Sequence, residues 1–159
     1  MTDIAHTFLH ESCRLLRSEY LPKIERCLER LSEEDIWWRP NEASNSIGNL
    51  LLHLRGNVGQ WIIGGVGQRD FERHRQREFD EREHIPRAEL MARLRRTLAD
   101  VDDVLARLDV DVLLERRQAR GEEVTPFLAV YHAVEHFSMH TGQIIMLAKM
   151  RAERLRLPD

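Results

Sequence analysis

Two apolar stretches of the chain carry the same interruption. Ser46 to Gly64 reads SIGNLLLHLRGNVGQWIIG, and among its apolar side chains stand Asn49, His53, Asn57 and Gln60. The stretch that opens at Thr125-Pro126 is again apolar around much of its circumference, and within it stand His132, His136, His140 and Gln143. Both sets fall at offsets 0, +4, +8 and +11. On an α-helix those positions stack along one face, so each stretch reads as a central helix with one polar stripe. Burying such groups costs a few kcal/mol apiece unless each finds a partner. Facing each other, the two stripes can satisfy one another, bind water, or hold an ion.

The rest of the chain supplies helices to pack around this pair. From Asp3 to Leu31, apolar residues at Ile4, Phe8, Leu15, Tyr20, Ile24, Leu28 and Leu31 predict an amphipathic helix, kinked where Pro22 lacks an N–H. A loop over Ser32–Asn45 holds a short helical turn at SEEDIWW, capped by Ser32 with Asp35 three residues on. The second helix starts at Ser46 and ends at the cluster Gly64, Gly65 and Gly67. Residues 69–85 are dense in both charge signs and predict a solvated connection. The third helix runs from Pro86 to Leu108 with one stripe through Leu90, Leu94, Leu98, Val101 and Leu105. A long irregular connection over 109–124, with extended pairing around LLERRQARGEEV, precedes the last helix. That helix runs to about Leu155, with Arg151, Arg154 and Arg156 near its negative end. The reading is one all-α domain over 1–159, a four-helix bundle.

Charge and cysteine content exclude several classes of function. A net charge of −3 gives no general attraction to phosphate backbones, and there is neither a basic stripe nor an aromatic platform for nucleic acid. No uncharged apolar run reaches the roughly 18 residues of a membrane span. MTDIAHTFLHESCRLL lacks the parts of a secretory signal. Cys13 and Cys27 would lie roughly 20 Å apart on one helix, too far to bridge. Two unpaired thiols and no export signal predict a cytoplasmic protein with inert, buried cysteines.

Histidines four residues apart project side by side, and a third from a neighbouring helix completes three imidazoles around one ion at about 2.0–2.1 Å. His53, His136 and His140 are the candidate ligands. Three ligands leave one or two positions for water or substrate. Asn49, Asn57, Gln60, Gln143 and His132 are candidates for orienting the ligands, a water or a substrate. Spacing alone leaves a satisfied polar core network equally open. His6, His10, His74 and His84 read as ordinary solvated side chains, as do Glu11 and Glu135. Trp37 and Trp38 can wall a pocket or pack on the bundle, and Arg55 is a surface arginine unless a substrate offers it an acidic group.

The segment HFSMHTGQI, His136 to Ile144, resembles the H-x-x-x-H-x-G-Q-I signature of the DinB/YfiT-like superfamily of small helical metalloproteins. WWRPNEASNSIGNLLLHLRGNVGQWI and EEVTPFLAVYHAVEHF are similar to an uncharacterised bacterial branch of it, so the likeness spans nearly the whole chain. The resemblance implies a bundle with a distinctive helix order and one divalent metal ion at one end. Its helix-2 histidine matches His53, and its paired histidines match His136 and His140; His132 is outside that set. It also implies a homodimer. Relatives include transferases and isomerases that use low-molecular-weight thiols such as bacillithiol or mycothiol.

Two functions follow as expectations. One is a metal-dependent enzyme of the thiol S-transferase type, acting on a small-molecule substrate with a low-molecular-weight thiol as cosubstrate. The other is a non-catalytic metal-binding or sensing bundle, favoured by the lack of a general base or nucleophile signature. Three imidazoles suit zinc, nickel, iron or copper.

Overall fold

The first rod of the bundle is a continuous helix that changes its winding. In the computed structural model, which describes residues 2–119 and 121–152, α1 (Thr2–Arg14) widens into a π-helical stretch over Leu15–Tyr20 and continues as α2 (Leu21–Glu29). The Leu21 N–H reaches back to the Leu16 carbonyl. Pro22, which has no N–H to donate, is therefore absorbed by the wider turn and does not break the rod.

Ser32 then caps α3 (Glu33–Trp37). Its hydroxyl accepts from the Asp35 N–H and the Asp35 carboxylate accepts from the Ser32 N–H, the capping box expected from the sequence. Asp35 also pairs with Arg151, whose guanidinium lies 5.0 Å from the centre of the Trp38 ring. That contact fastens the far end of the last helix to α3.

The second rod, α4 (Ile47–Val58), continues as a π-helical stretch over Gly59–Val66. The glycine cluster does not end it as expected. Gly64 and Gly65 lie inside the helix, and only Gly67 stands at its cap, with its N–H on the Ile62 carbonyl. The expected solvated connection over 69–85 is also corrected. It holds a short helix, α5 (Arg75–Asp80), and it buries Glu78, while the Arg73 side chain is only 3% exposed.

The third rod, α6 (Arg87–Ala106), opens directly after Pro86. A 3₁₀ turn over Val110–Val112 and a two-stranded hairpin follow, β1 (Arg117–Ala119) against β2 (Glu122–Val124), with Gly121 at φ +80° in its turn. The last rod, α7 (Pro126–Ala152), is one unbroken α-helix of 27 residues. Leu155, Arg154 and Arg156, expected at its end, lie outside the described residues.

α4 packs against both α6 and α7, and α7 also receives α2. Leu16, Ile24, Leu50, Leu54, Ile62, Leu94, Leu98 and Phe137 are fully buried where the rods meet. Burial of each such side chain contributes about 1.5–3 kcal/mol. Among the described residues no helix is long and apolar enough to cross a membrane. The four rods make the all-α bundle expected from the sequence. Trp61 meets His132 and His53 meets His136, so α4 and α7 run antiparallel with their polar stripes face to face.

Candidate metal centre

Three imidazoles converge where the stripes meet. His53 Nε2 lies 3.1 Å from His136 Nε2, which lies 3.2 Å from His140 Nε2. One ligand atom from each falls within 4.8 Å of the others. Tetrahedral coordination at 2.0–2.1 Å sets neighbouring donors about 3.3 Å apart, so the observed spacing suits one small cation. His53 and His140 are only 4% and 9% exposed.

The outer nitrogens decide what these contacts are. His53 Nδ1 lies 2.9 Å from Glu78 Oε2 and 3.2 Å from Arg73 Nη2; with the nearer, ionised carboxylate, which only accepts, as its partner, Nδ1 carries the proton and Nε2 the lone pair. His140 Nδ1 lies 2.6 Å from Gln143 Oε1, an amide oxygen, with the same consequence. Two lone pairs therefore point at His136 Nε2. A single N–H there can aim at only one of them, and one cation held among the three nitrogens would satisfy all of them.

The electrostatics agree with neutral, ligand-ready rings at His136 and His140. Burial, then the neighbouring His140 and His53, lowers the His136 pKa to about 3. Burial lowers that of His140 as well, against the hydrogen bond to Gln143. Such imidazoles do not exchange a proton for a metal at neutral pH. The His136 Nδ1 is buried without a hydrogen-bond partner. This donor set fits a divalent ion, because one cation would meet the lone pairs that face each other at Nε2 of the three rings.

Behind His53 stands a second layer. Burial alone would raise the Glu78 pKa, but hydrogen bonds from Arg73 and His53 overcome it and hold the carboxyl below its ordinary range. Arg73 donates to Glu78 through Nε at 2.7 Å and Nη2 at 2.9 Å, and through Nη1 to Gln60 Oε1 at 2.9 Å. This bidentate pair fixes the carboxylate that fixes the ring.

The other residues singled out in the sequence take different places. Asn49 caps α4, exchanging bonds with Ser46, and its amide nitrogen donates to the Glu78 carbonyl at 2.9 Å. It holds the connection over 69–85 rather than a ligand ring. Gln60 stands behind Arg73. Asn57, one turn beyond His53, is 5% exposed and its Oδ1 is buried with no partner. His132 lies over Trp61 and beside His136, at 4.7 and 5.5 Å between ring centres.

Neither tryptophan before α4 reaches the triad. Trp37 packs against Gly48 and His84 and donates to the Ile85 carbonyl, while Trp38 lies under Arg151. Arg55 lies over the Phe71 ring. His6, His10, His74 and His84 are exposed, as is Glu135. The thiols are poor nucleophiles: burial, then Asp102, pushes Cys13 up to about 12, and burial raises Cys27.

Arg73 and Glu78 were not foreseen. The sequence signal was the pair of glycines inside an otherwise good helix. A Cβ at Gly56 would collide with the Glu78 carboxylate, and one at Gly59 with the Phe71 ring. Glycine weakens a helix interior by roughly 0.5–1 kcal/mol, so two of them call for something packed closely against the helix. Phe71 and Phe79 are the apolar anchors of that packing; Phe79 lies 4.7 Å from the His53 ring, centre to centre.

The fold has solved counterparts. A DinB-like protein from Bacillus cereus ATCC 10987 superposes with a TM-score of 0.64 over 88% of this chain and 89% of its own, at 17% identity, a likeness of fold alone. No curated protein matches. The family described as "Protein of unknown function (DUF1572)", a DinB-like family, matches residues 3–155. The chain therefore belongs to the DUF1572 family, within the DinB/YfiT-like superfamily to which HFSMHTGQI had pointed.

Proposed function

We propose that the three histidines bind one divalent ion and that the protein is a metal-dependent enzyme of the thiol-transferase type. The observation that carries the reading is the pair of lone pairs, fixed by Glu78 and Gln143, that face His136 Nε2 across 3.1 and 3.2 Å. Such an ion supplies Lewis acidity, which lowers the pKa of a thiol or water entering its free position. The chain's own residues orient the rings, and burial keeps His136 and His140 unprotonated. A small-molecule substrate, a low-molecular-weight thiol cosubstrate and a dimeric protein belong to the same reading. The exposed Ile4 and Tyr131, which line one apolar surface groove, support the last.

The test is elemental analysis of untagged protein beside the variant with alanine at 53, 136 and 140, followed by turnover assays with small thiols and electrophilic acceptors. One equivalent of zinc, nickel, iron or copper in the native protein alone is expected. Equal metal in both samples rejects the site, and turnover unchanged in His136→Ala rejects the catalytic version.

A second reading, a sensing or structural metal protein, draws on one observation. The carboxylate nearest the triad, Glu78, is fully engaged by His53 and Arg73 and is not free to act as a base. Metal bound without turnover, with unfolding on its removal, supports this version.

A further inference from the structure

Among the helical glycines, Gly142 differs from Gly48, Gly56 and Gly59. Those three are each seated against a side chain, Trp37, Glu78 and Phe71 respectively, that a Cβ would strike. A Cβ on Gly142 would meet nothing within 4 Å, and its backbone has ordinary helical geometry. The fold alone gives no reason for a residue that weakens the middle of α7.

Gly142 lines a cleft of about 580 Å³, within the roughly 300–1,000 Å³ typical of small-molecule sites. Met139 and Met146 stand on either side of it along the helix, about 10 Å apart, with buried Leu50 as part of the floor. Ser44, Asn45 and Gln143 supply its polar groups. Gln143 gives its oxygen to His140, which leaves its amide N–H groups to the cleft. No lining residue is charged, in a chain that is 32% Asp, Glu, Lys and Arg.

We infer that this cleft binds an uncharged heteroaromatic molecule. Its flat ring lies on the bare backbone at Gly142 between the two thioethers, and its polar edge meets the Ser44–Asn45 loop and Gln143. A glycine leaves the flat floor that a ring needs, methionine sulfur makes favourable contacts with ring edges, and the neutral lining disfavours an ionised ligand. None of the three histidines lines the cleft, and Gln143, which also holds His140, is the one residue it shares with the candidate metal centre.

Protein labelled with ¹³C at the methionine methyls tests it, with quinolin-2-one as the probe. Saturable ring-current shifts are expected at Met139 and Met146, with Met150 and the buried Met91 unmoved, in metal-free and metal-loaded protein alike. Quinoline-2-carboxylate and the ring-saturated lactam piperidin-2-one should bind at least tenfold more weakly. Gly142→Leu, at an exposed helical position, should leave the melting temperature equal or higher and weaken quinolin-2-one at least tenfold. Shifts that are absent, equal at Met150, matched by either control compound, or untouched by Gly142→Leu overturn the proposal. So do Met139 and Met146 signals that move with protein concentration and stop doing so in Gly142→Leu, which would assign the face to a second copy of the chain.

Discussion

Glu78 Oε2 accepts the Nδ1 proton of His53 across 2.9 Å, and this bond sets which nitrogen of His53 faces the other two imidazoles. The carboxylate comes from a short helix 25 residues further along the chain and is itself gripped by Arg73. The inner geometry of the candidate centre thus depends on a connection outside the four rods.

Glu78→Gln should weaken metal binding by about 10–100-fold, the usual effect of losing such an outer partner. The neutral amide can present either its oxygen or its nitrogen to His53, so the tautomer is no longer imposed. Chelator-competition titrations measure the affinity, and ¹⁵N-edited NMR of the imidazoles reads the tautomer. An unchanged affinity with His53 still protonated at Nδ1 would refute the assigned role.

Gly56→Ala should reproduce much of that loss from the other side of the contact. The added methyl would occupy the place of the Glu78 carboxylate and crowd Arg73 Nε. Alanine contributes up to about 1 kcal/mol to a helix interior, whereas loosening a buried ion pair costs about 3–5 kcal/mol when a partner is lost outright. A net loss of about 1–3 kcal/mol in urea unfolding is expected, together with weaker metal binding. A more stable protein with intact affinity would show that Glu78 has no need of its seat.

Much of the fold was legible because its four rods carry the apolar period of a helix, with proline or a capping serine at several starts. The triad was legible because α4 and α7 each place histidines on an otherwise buried face. Arg73 and Glu78 were hidden because charged residues in a connection ordinarily face water, and nothing local shows that these two are buried as a pair. Only the glycines of α4 hinted at them, through the space they leave. Asn49 misled for a related reason: on the helical face it continues the stripe of His53, yet at the third position after Ser46 it is a cap.

Metal-free protein should lose stability as the pH falls below about 6.5. His136 is held neutral in the fold, at about 3, by burial and by the neighbouring imidazoles, while the unfolded ring titrates near 6.5. Between those values the unfolded chain binds a proton that the folded one does not, so stability rises with pH. It is fully present above 6.5 and drains away as the pH drops toward 3. The lowered carboxyl of Glu78 keeps its own contribution until lower pH, so the loss between pH 6.5 and 5 belongs mainly to the imidazoles. Urea midpoints over pH 8 to 5 check this, and His136→Gln should flatten the slope. A slope that survives the substitution would place the titrating group elsewhere.

Asn49→Asp should separate the two jobs of that side chain. A carboxylate can still accept the Ser46 N–H and hydroxyl and the Arg39 guanidinium, as the Asn49 oxygen does, so the cap of α4 persists. It cannot donate to the Glu78 carbonyl, and it sets a negative oxygen against the carbonyls of Glu78, Phe79 and Glu81 that now surround the amide nitrogen. Losing a buried donor in that way costs about 1–3 kcal/mol. Hydrogen exchange should quicken across residues 75–81 while the Asn49 amide at the start of α4, bonded to Ser46 Oγ, stays protected. Metal affinity should fall less than in Glu78→Gln, because the substitution loosens the segment that carries Glu78 and leaves the carboxylate itself in place. Loss of protection in the first turn of α4 instead would mean that the cap, and not the grip on the connection, is what Asn49 chiefly supplies.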